Sequence, residues 1–186
     1  VVILVGVRCP DGCGLLAGNR ERYRIAGECC VEKKMNDFRW LEPGELADDD
    51  LSLVLAEKSP ADLSKGYVPA YKFEMRIVGQ PEKIGNIEFR VGEAERIRMY
   101  GGHLAYEVLP DFRGRHYAAR ACRLLLPLAR RYGMSVLWIT CNPDNVASRR
   151  TCELAGAVFV DIVDLPEDID MYQDGERQKC RYRIDL

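Results

Sequence analysis

The clearest pattern along the chain is an alternation of apolar and polar positions in its middle third. "YKFEMRIVG" (71–79) and "KIGNIEFRVG" (83–92) both alternate, and the glycine-bearing "GQPEKIG" between them is a turn, so the pair predicts an antiparallel hairpin. "GGHLAYEVLP" (101–110) predicts a third strand, with His103, Ala105 and Glu107 on one face and Leu104, Tyr106 and Val108 on the other. The period then changes. From His116 to Tyr132 an apolar stripe of Ala119, Cys122, Leu125, Leu126 and Ala129 predicts a helix, kinked at Pro127 and ended by Gly133. "SVLWITC" (135–141) is a continuous apolar run of the kind covered on both faces. A second helix opens at Asn142 to Asp144 and closes at Gly156, and "AVFVDIV" and "CRYRIDL" supply two last strands around a polar loop, 165–178. Weaker patterns suggest a first strand at Phe38 to Leu41 and a helical segment at Glu45 to Lys58.

Residues 1–34 carry no sustained period of either kind, whereas "MNDFRWLEPGELADDD" from Met35 reads like a natural beginning. The expected organisation is therefore an extension of uncertain role, 1–34, followed by one domain, 35–186, a length sufficient for a single buried core. Cys9, Cys13, Cys29 and Cys30 fall in the extension; a three-residue gap followed by adjacent cysteines is not the usual spacing of paired zinc ligands, and no metal is expected. Cys122, Cys141, Cys152 and Cys180 sit in apolar patterns where thiols pack as small hydrophobes, which suits a reducing cytoplasm. A formal charge of −2 argues against a general nucleic-acid surface, so any anion site must be local. No apolar run approaches the roughly 20 residues of a bilayer-spanning helix, and "VVILVGV" lacks the basic front of a secretory signal. No membrane partner is expected.

One stretch stands out chemically. In "EVLPDFRGRHYAARA" (107–121) an alternating strand stops at a proline, passes two arginines flanking a glycine, and becomes a helix. Such a junction leaves backbone N–H groups unpaired at the positive end of the helix dipole, the arrangement that binds pyrophosphate. Arg113 and Arg115 add charge, while Gly114 and Ala118 keep the backbone accessible. An ordinary strand-to-helix turn with solvated arginines would look the same in isolation. Neither a P-loop nor GxGxxG is present.

With its place after an antiparallel meander, this stretch resembles the GNAT superfamily of acetyl-CoA-dependent N-acetyltransferases, whose signature is Arg/Gln-x-x-Gly-x-Gly/Ala. Arg113 and Ala118 match, and His116 stands where the family has glycine. "TCNPDNVASRRTCELAGAVF" (140–159) resembles a second family region, and the likeness runs from about Gly66 to Leu186, within a bacterial branch of predicted acetyltransferases. The resemblance implies an α/β (α+β) fold with a mixed, mostly antiparallel sheet of about six or seven strands, flanked by helices and splayed at its centre. It implies acetyl-CoA as co-substrate, held by Arg113, Gly114, Arg115, His116, Tyr117 and Ala118 with Asn142, Asn145 and Ser148, the acetyl carbonyl being positioned by backbone near Val108 and Leu109.

The implied reaction is direct attack by an acceptor amine on the thioester in a ternary complex. His103 is the first candidate base and Glu107 the second. Cys152 occupies the place of the tyrosine thought to protonate the departing coenzyme thiolate; its thiol is the candidate acid, set against a packing role one turn before Gly156. Either carboxylate or imidazole could equally be a satisfied strand side chain, and Trp138 and Tyr106 read as core. The acidic loop residues Glu167, Asp168, Asp170 and Asp174 could attract a cationic amine or simply be solvated. The alternative to an enzyme is a non-catalytic acyl-CoA sensor or scaffold. The acceptor's identity is open, as is the choice between monomer and homodimer.

Overall fold

Leu51 and Leu53, then Tyr71, Phe73 and Met75, then Gly85, Ile87 and Phe89 are buried at every second position, and that period builds the sheet in the computed structural model, which describes residues 38–62 and 64–186. The extension, 1–34, with its four cysteines, and the proposed start at Met35 lie outside the described residues. Eight strands follow in chain order: β1 (Ala47–Asp48), β2 (Leu51–Ser59), β3 (Ala70–Ile77), β4 (Lys83–Arg90), β5 (Leu104–Val108), β6 (Val136–Cys141), β7 (Val158–Asp164) and β8 (Gln178–Asp185). Three α-helices join them: α1 (Tyr117–Arg131), α2 (Val146–Leu154) and the short α3 (Asp170–Gln173). A π-helical turn at Ile97–Gly101 precedes β5, and a 3₁₀ turn at Pro110–Phe112 follows it. The sheet order is β1-β2-β3-β4-β5-β6-β8-β7, antiparallel throughout except for β5 and β6.

The expected hairpin is β3–β4, the third strand is β5, and among the described residues the sheet has eight strands where six or seven were expected. Two expectations fail. Glu45 to Lys58 is not helical: Leu51 and Leu53 are buried while Ser52 and Val54 are not, a period of two, and the turn into β2 is made by Asp49 at φ 49°. Phe38 to Leu41 forms no strand. It packs its aromatic rings on the core, where the Leu41 N–H donates to Tyr132 Oη (2.9 Å) and the Tyr71 hydroxyl donates to Leu41 O (2.7 Å). β6 is covered fully on one face only; Leu137, Ile139 and Cys141 are buried, while Trp138 on the other face lies against the Arg181 guanidinium, 4.9 Å from ring centre.

The splay comes from how little β5 and β6 share. Leu104 opposite Ile139 is their one register pair, joined by the His103 N–H to Trp138 O bond at 2.7 Å, and beyond it β5 continues to Val108 with β6 diverging. At the closed end Gly102 (φ 66°) lets the strands approach: a Cβ there would stand 3.0 Å from Thr140 N. On its other edge β5 is held tightly by β4, where a Cβ on Gly85 would meet Glu107 O at 2.3 Å. Helix α1 lies across β2, β4 and β5, burying Ala119, Cys122, Leu125, Leu128 and Ala129, and it runs on through Pro127 to Arg131. Arg120 fixes its first turn by pairing with Asp48 (2.9 Å) and Asp50 (2.6 Å), and the Tyr117 hydroxyl donates to Asp50 as well (3.0 Å).

Candidate active site

Two clefts open where β5 and β6 part. The first, about 510 Å³, is lined by Tyr106 to Val108, Phe112 to Gly114, His116 to Ala118, and Asn145, Ala147, Ser148 and Arg150 of the α2 start. The second, about 630 Å³, is lined by β3, β4, β6 and the loops at Tyr67, Tyr100 and Asp170, with Cys141, Asn142, Glu176 and Lys179 near the gap. Tyr106, Asn145 and Ser148 line both. They mark the place where the two clefts adjoin, the passage between them.

The junction expected to cradle an anion lines the first cleft. Val108 ends β5, Pro110 starts a short 3₁₀ turn, and Gly114 (φ 80°) turns the chain toward α1. His116, the N-cap of α1, adopts φ 60° and ψ 18°, the left-handed conformation that glycine takes readily. That explains why glycine would suit the position: the constraint is on the backbone, and histidine meets it at a cost. No side chain caps the helix, so the N–H groups of its first turn face the cleft without a side-chain acceptor. His116→Gly relieves a strain of about 1 kcal/mol, and the expected result is a melting temperature that stays level or rises, with coenzyme affinity retained. A clear loss of affinity would mean that the imidazole itself contacts the ligand.

Of the expected coenzyme residues, Val108, Arg113, Gly114, His116, Tyr117, Ala118, Asn145 and Ser148 line this cleft. Arg113 reaches back along it, its Nε donating to Val108 O at 2.9 Å. Three do not take the expected place. Arg115 is outside the lining; Leu109 turns its N–H into β4, donating to Ile84 O at 2.9 Å; and Asn142 lines the second cleft. Strand alternation then turns the N–H of Val108, and of Tyr106 before it, toward the gap. Arg150, which no sequence pattern had singled out, joins the lining one turn after Asn145 caps α2 by accepting from the Ser148 N–H (2.9 Å).

The candidate base and acid are displaced. His103 is fully buried at the closed end of the splay, its Nδ1 accepting from the Trp138 N–H (2.9 Å) and its Nε2 facing Gly92 O (3.1 Å). Nδ1 is thus an acceptor and Nε2 carries the proton. Burial lowers its pKa below the ordinary imidazole value. With both nitrogens bonded to backbone, His103 is a staple between strand and sheet and has no lone pair to offer an amine. Glu107 is exposed and lines the first cleft.

Cys152 is fully buried, its thiol pushed up by its bond to Cys141 and by burial. A tyrosine of β5 stands beside that position: Tyr106 Oη lies 3.7 Å from Cys152 Sγ and 2.9 Å from Ser148 Oγ. A small side chain at 152 makes room for that ring, so Cys152 packs and Tyr106 occupies the passage. Burial pushes the Tyr106 phenol far up, which makes it a donor of hydrogen bonds rather than of protons.

Among the carboxylates of the second cleft is Glu176, which the sequence reading passed over. Asn142 Nδ2 donates to its Oε1 (2.9 Å), Lys179 Nζ lies 2.6 Å from its Oε2, and the same ammonium donates to Asn142 Oδ1 (2.7 Å), closing a triangle beside Cys141. Of the acidic loop, Asp170 lines this cleft, paired with Arg96 and with the Tyr67 hydroxyl 3.5 Å away. Among the described residues, no cluster of three or more histidine, cysteine or acidic side chains has metal-site geometry, and no helix is long and apolar enough to cross a membrane.

Comparison with known proteins places the sequence and the fold. A sequence model of the acetyltransferase (GNAT) domain matches residues 30–158. No curated protein matches in sequence. Among solved structures, a ribosomal-protein-serine acetyltransferase assignment from Vibrio cholerae superposes with a TM-score of 0.55 at 14% identity, over 78% of this chain and 100% of that one. A GNAT-family acetyltransferase from Bacillus anthracis gives a TM-score of 0.50 at 19% identity, over 61% of this chain and 65% of that one. The microcin C7 self-immunity acetyltransferase, solved with acetyl-CoA and AMP, gives 0.49 at 17% identity, over 63% and 61%. At such identities the likeness is one of fold, and this chain spans less than two thirds of the length of the latter two. The domain match covers well over half of the residues and includes the strand, cradle and passage described above: the chain belongs to the acetyltransferase (GNAT) domain family.

Proposed function

We propose that the protein transfers an acetyl group from acetyl-CoA to a primary amine by direct attack in a ternary complex. The observation that carries this reading is the pair of clefts meeting at Tyr106, Asn145 and Ser148, one with a helix-start anion cradle and the other with a fixed carboxylate. In this reading the pyrophosphate sits on the first turn of α1, the pantetheine threads the splay, and the Val108 N–H bonds the acetyl carbonyl, stabilising the oxyanion as the amine attacks. Glu176 takes the proton from the incoming ammonium, directly or through water. Tyr106 and Ser148 donate hydrogen bonds to the departing sulfur. The setting we propose is cytoplasmic, in keeping with four buried thiols that stay free.

The test is calorimetry with acetyl-CoA on the full chain. Replacing Arg113 and Arg150, the guanidinium groups that line the cradle cleft, by alanine is expected to weaken binding at least tenfold, with a shallower salt dependence. Unchanged affinity in the double variant would remove the coenzyme site from this cleft. The sensor alternative is separated by release of free thiol from acetyl-CoA in the presence of mixed amines, which a binding module does not catalyse.

A further inference from the structure

A tyrosine ring stands where the two clefts adjoin. Tyr106 shares its face of β5 with Leu104 and Val108, and it lines both clefts. Its hydroxyl crosses the splay to α2, 2.9 Å from Ser148 Oγ, 3.3 Å from Ser148 O and 3.7 Å from Cys152 Sγ. Its backbone is held on the other edge by pairing with Ile87 of β4. A ring anchored by its strand at one end and by hydrogen bonds at the other is a fixed wall. Stabilising a departing sulfur needs a hydroxyl, and Ser148 alone carries one at this place. An aromatic ring across the gap does something further: it sets how much room the acyl group has.

Resting on the acetyltransferase reading, we propose that Tyr106 fixes the length of the acyl group that the protein transfers, admitting acetyl and turning away longer chains. In that reading the acyl carbonyl bonds the Val108 N–H and the acyl tail points along β5 toward the second cleft. Val108 lies two residues from Tyr106, a separation of about 7 Å along the strand. Carbon atoms in contact stand about 3.5–4 Å apart, so about 3 Å is left between the carbonyl carbon and the ring. A methyl group needs one bond of about 1.5 Å, and it fits. A butyryl chain carries two carbons more and runs into the ring. Swinging the ring aside would break its bonds to Ser148, and its neighbours Leu104 and Cys152 are already buried. The second cleft, about 630 Å³, has space for a far longer chain, so the limit lies at the passage and not beyond it.

The experiment compares acetyl-CoA, propionyl-CoA and butyryl-CoA on the full chain, by calorimetric affinity and by release of free thiol with a pool of primary amines. The wild type should favour acetyl-CoA over butyryl-CoA in kcat/KM by roughly 100-fold, the scale on which a closed pocket rejects surplus methylenes. Tyr106→Ala should bring the ratio within about tenfold. Tyr106→Phe, which keeps the ring and loses its tether, should fall between the two. Each ratio is taken within one variant, so a general loss of folded protein or of sulfur stabilisation cancels. Should Tyr106→Ala fold poorly, Tyr106→Leu serves in its place, removing the ring and keeping an apolar side chain. A wild type that uses butyryl-CoA as well as acetyl-CoA, or a ratio that stays at the wild-type value once the ring is gone, overturns the proposal and leaves the acetyltransferase reading intact. Binding without turnover removes the enzyme reading, and the affinities for the three coenzymes then decide the role of Tyr106 by the same ratios. Absence of acetyl-CoA binding overturns both.

Discussion

Glu176→Gln should lower the acetylation rate by roughly 100-fold or more, the contribution expected of a positioned general base, equivalent to about 2.7 kcal/mol in the barrier. An acceptor amine arrives as an ammonium and must lose a proton before its lone pair can attack. Glu176 is a carboxylate of the second cleft held in place on both oxygens: Asn142 orients one, Lys179 holds the other, and Asn142 in turn accepts from Lys179. Glutamine keeps the shape and the bond from Asn142 but cannot take the proton. The cost to the fold must be separated, because Lys179 is only 8% exposed and loses its counter-charge. Melting temperature and acetyl-CoA affinity therefore accompany the rate measurement. The diagnostic signature is a fall in kcat with coenzyme affinity kept. A rate within tenfold of the wild type would move the base to Glu88, the cleft carboxylate opposite Ala105 and paired with Arg90, or to solvent.

What could be read from the sequence divides along physical lines. The hairpin, β5, α1 and the cradle were legible because each is local: a period of two, a period of 3.6, and a strand-to-helix junction with glycine and arginine between them. β2 was misread because "ELADDDLSLVLAEK" satisfies a loose helical pattern as well as a strand pattern, and the choice is made by pairing with β3, twenty or so residues away. The passage was illegible for the same reason. Tyr106 meets Ser148 and Cys152 across the splay, from a strand to a helix some forty residues later, and nothing in "LAYEV" tells that its tyrosine fills the space a cysteine leaves. Glu176 sits in a stretch that reads as a solvated loop, and only the return of β8 alongside β6 brings it to Asn142.

His103 shows the opposite error, a residue whose chemistry suggested catalysis and whose surroundings make it structural. Imidazole is the side chain that titrates near neutrality, and this one stands just before β5, in the strand that carries the gap. Yet its two nitrogens bond the backbone of Trp138 and of Gly92, locking one neutral tautomer into the closed end of the splay. His103→Ala should therefore destabilise the fold by about 2–5 kcal/mol, through a lost bond to the Trp138 N–H, an unpaired Gly92 carbonyl and the cavity left behind. pH gives the sharper test. Burial lowers the folded-state pKa below the unfolded value of about 6.5. As pH falls below that value the unfolded chain takes up a proton that the folded chain refuses, so stability declines by up to about 1.4 kcal/mol per pH unit, until the folded-state pKa is passed. Above the unfolded pKa both states are neutral and the effect vanishes. Denaturant unfolding between neutrality and mild acid should show this slope in the wild type, and a shallower one in His103→Gln, which cannot titrate. Acetylation per folded molecule should stay within tenfold of wild type in the same variant. A variant with unchanged stability at both ends of the pH range, but a rate that has collapsed and lost its acidic limb, would return His103 to the role of base.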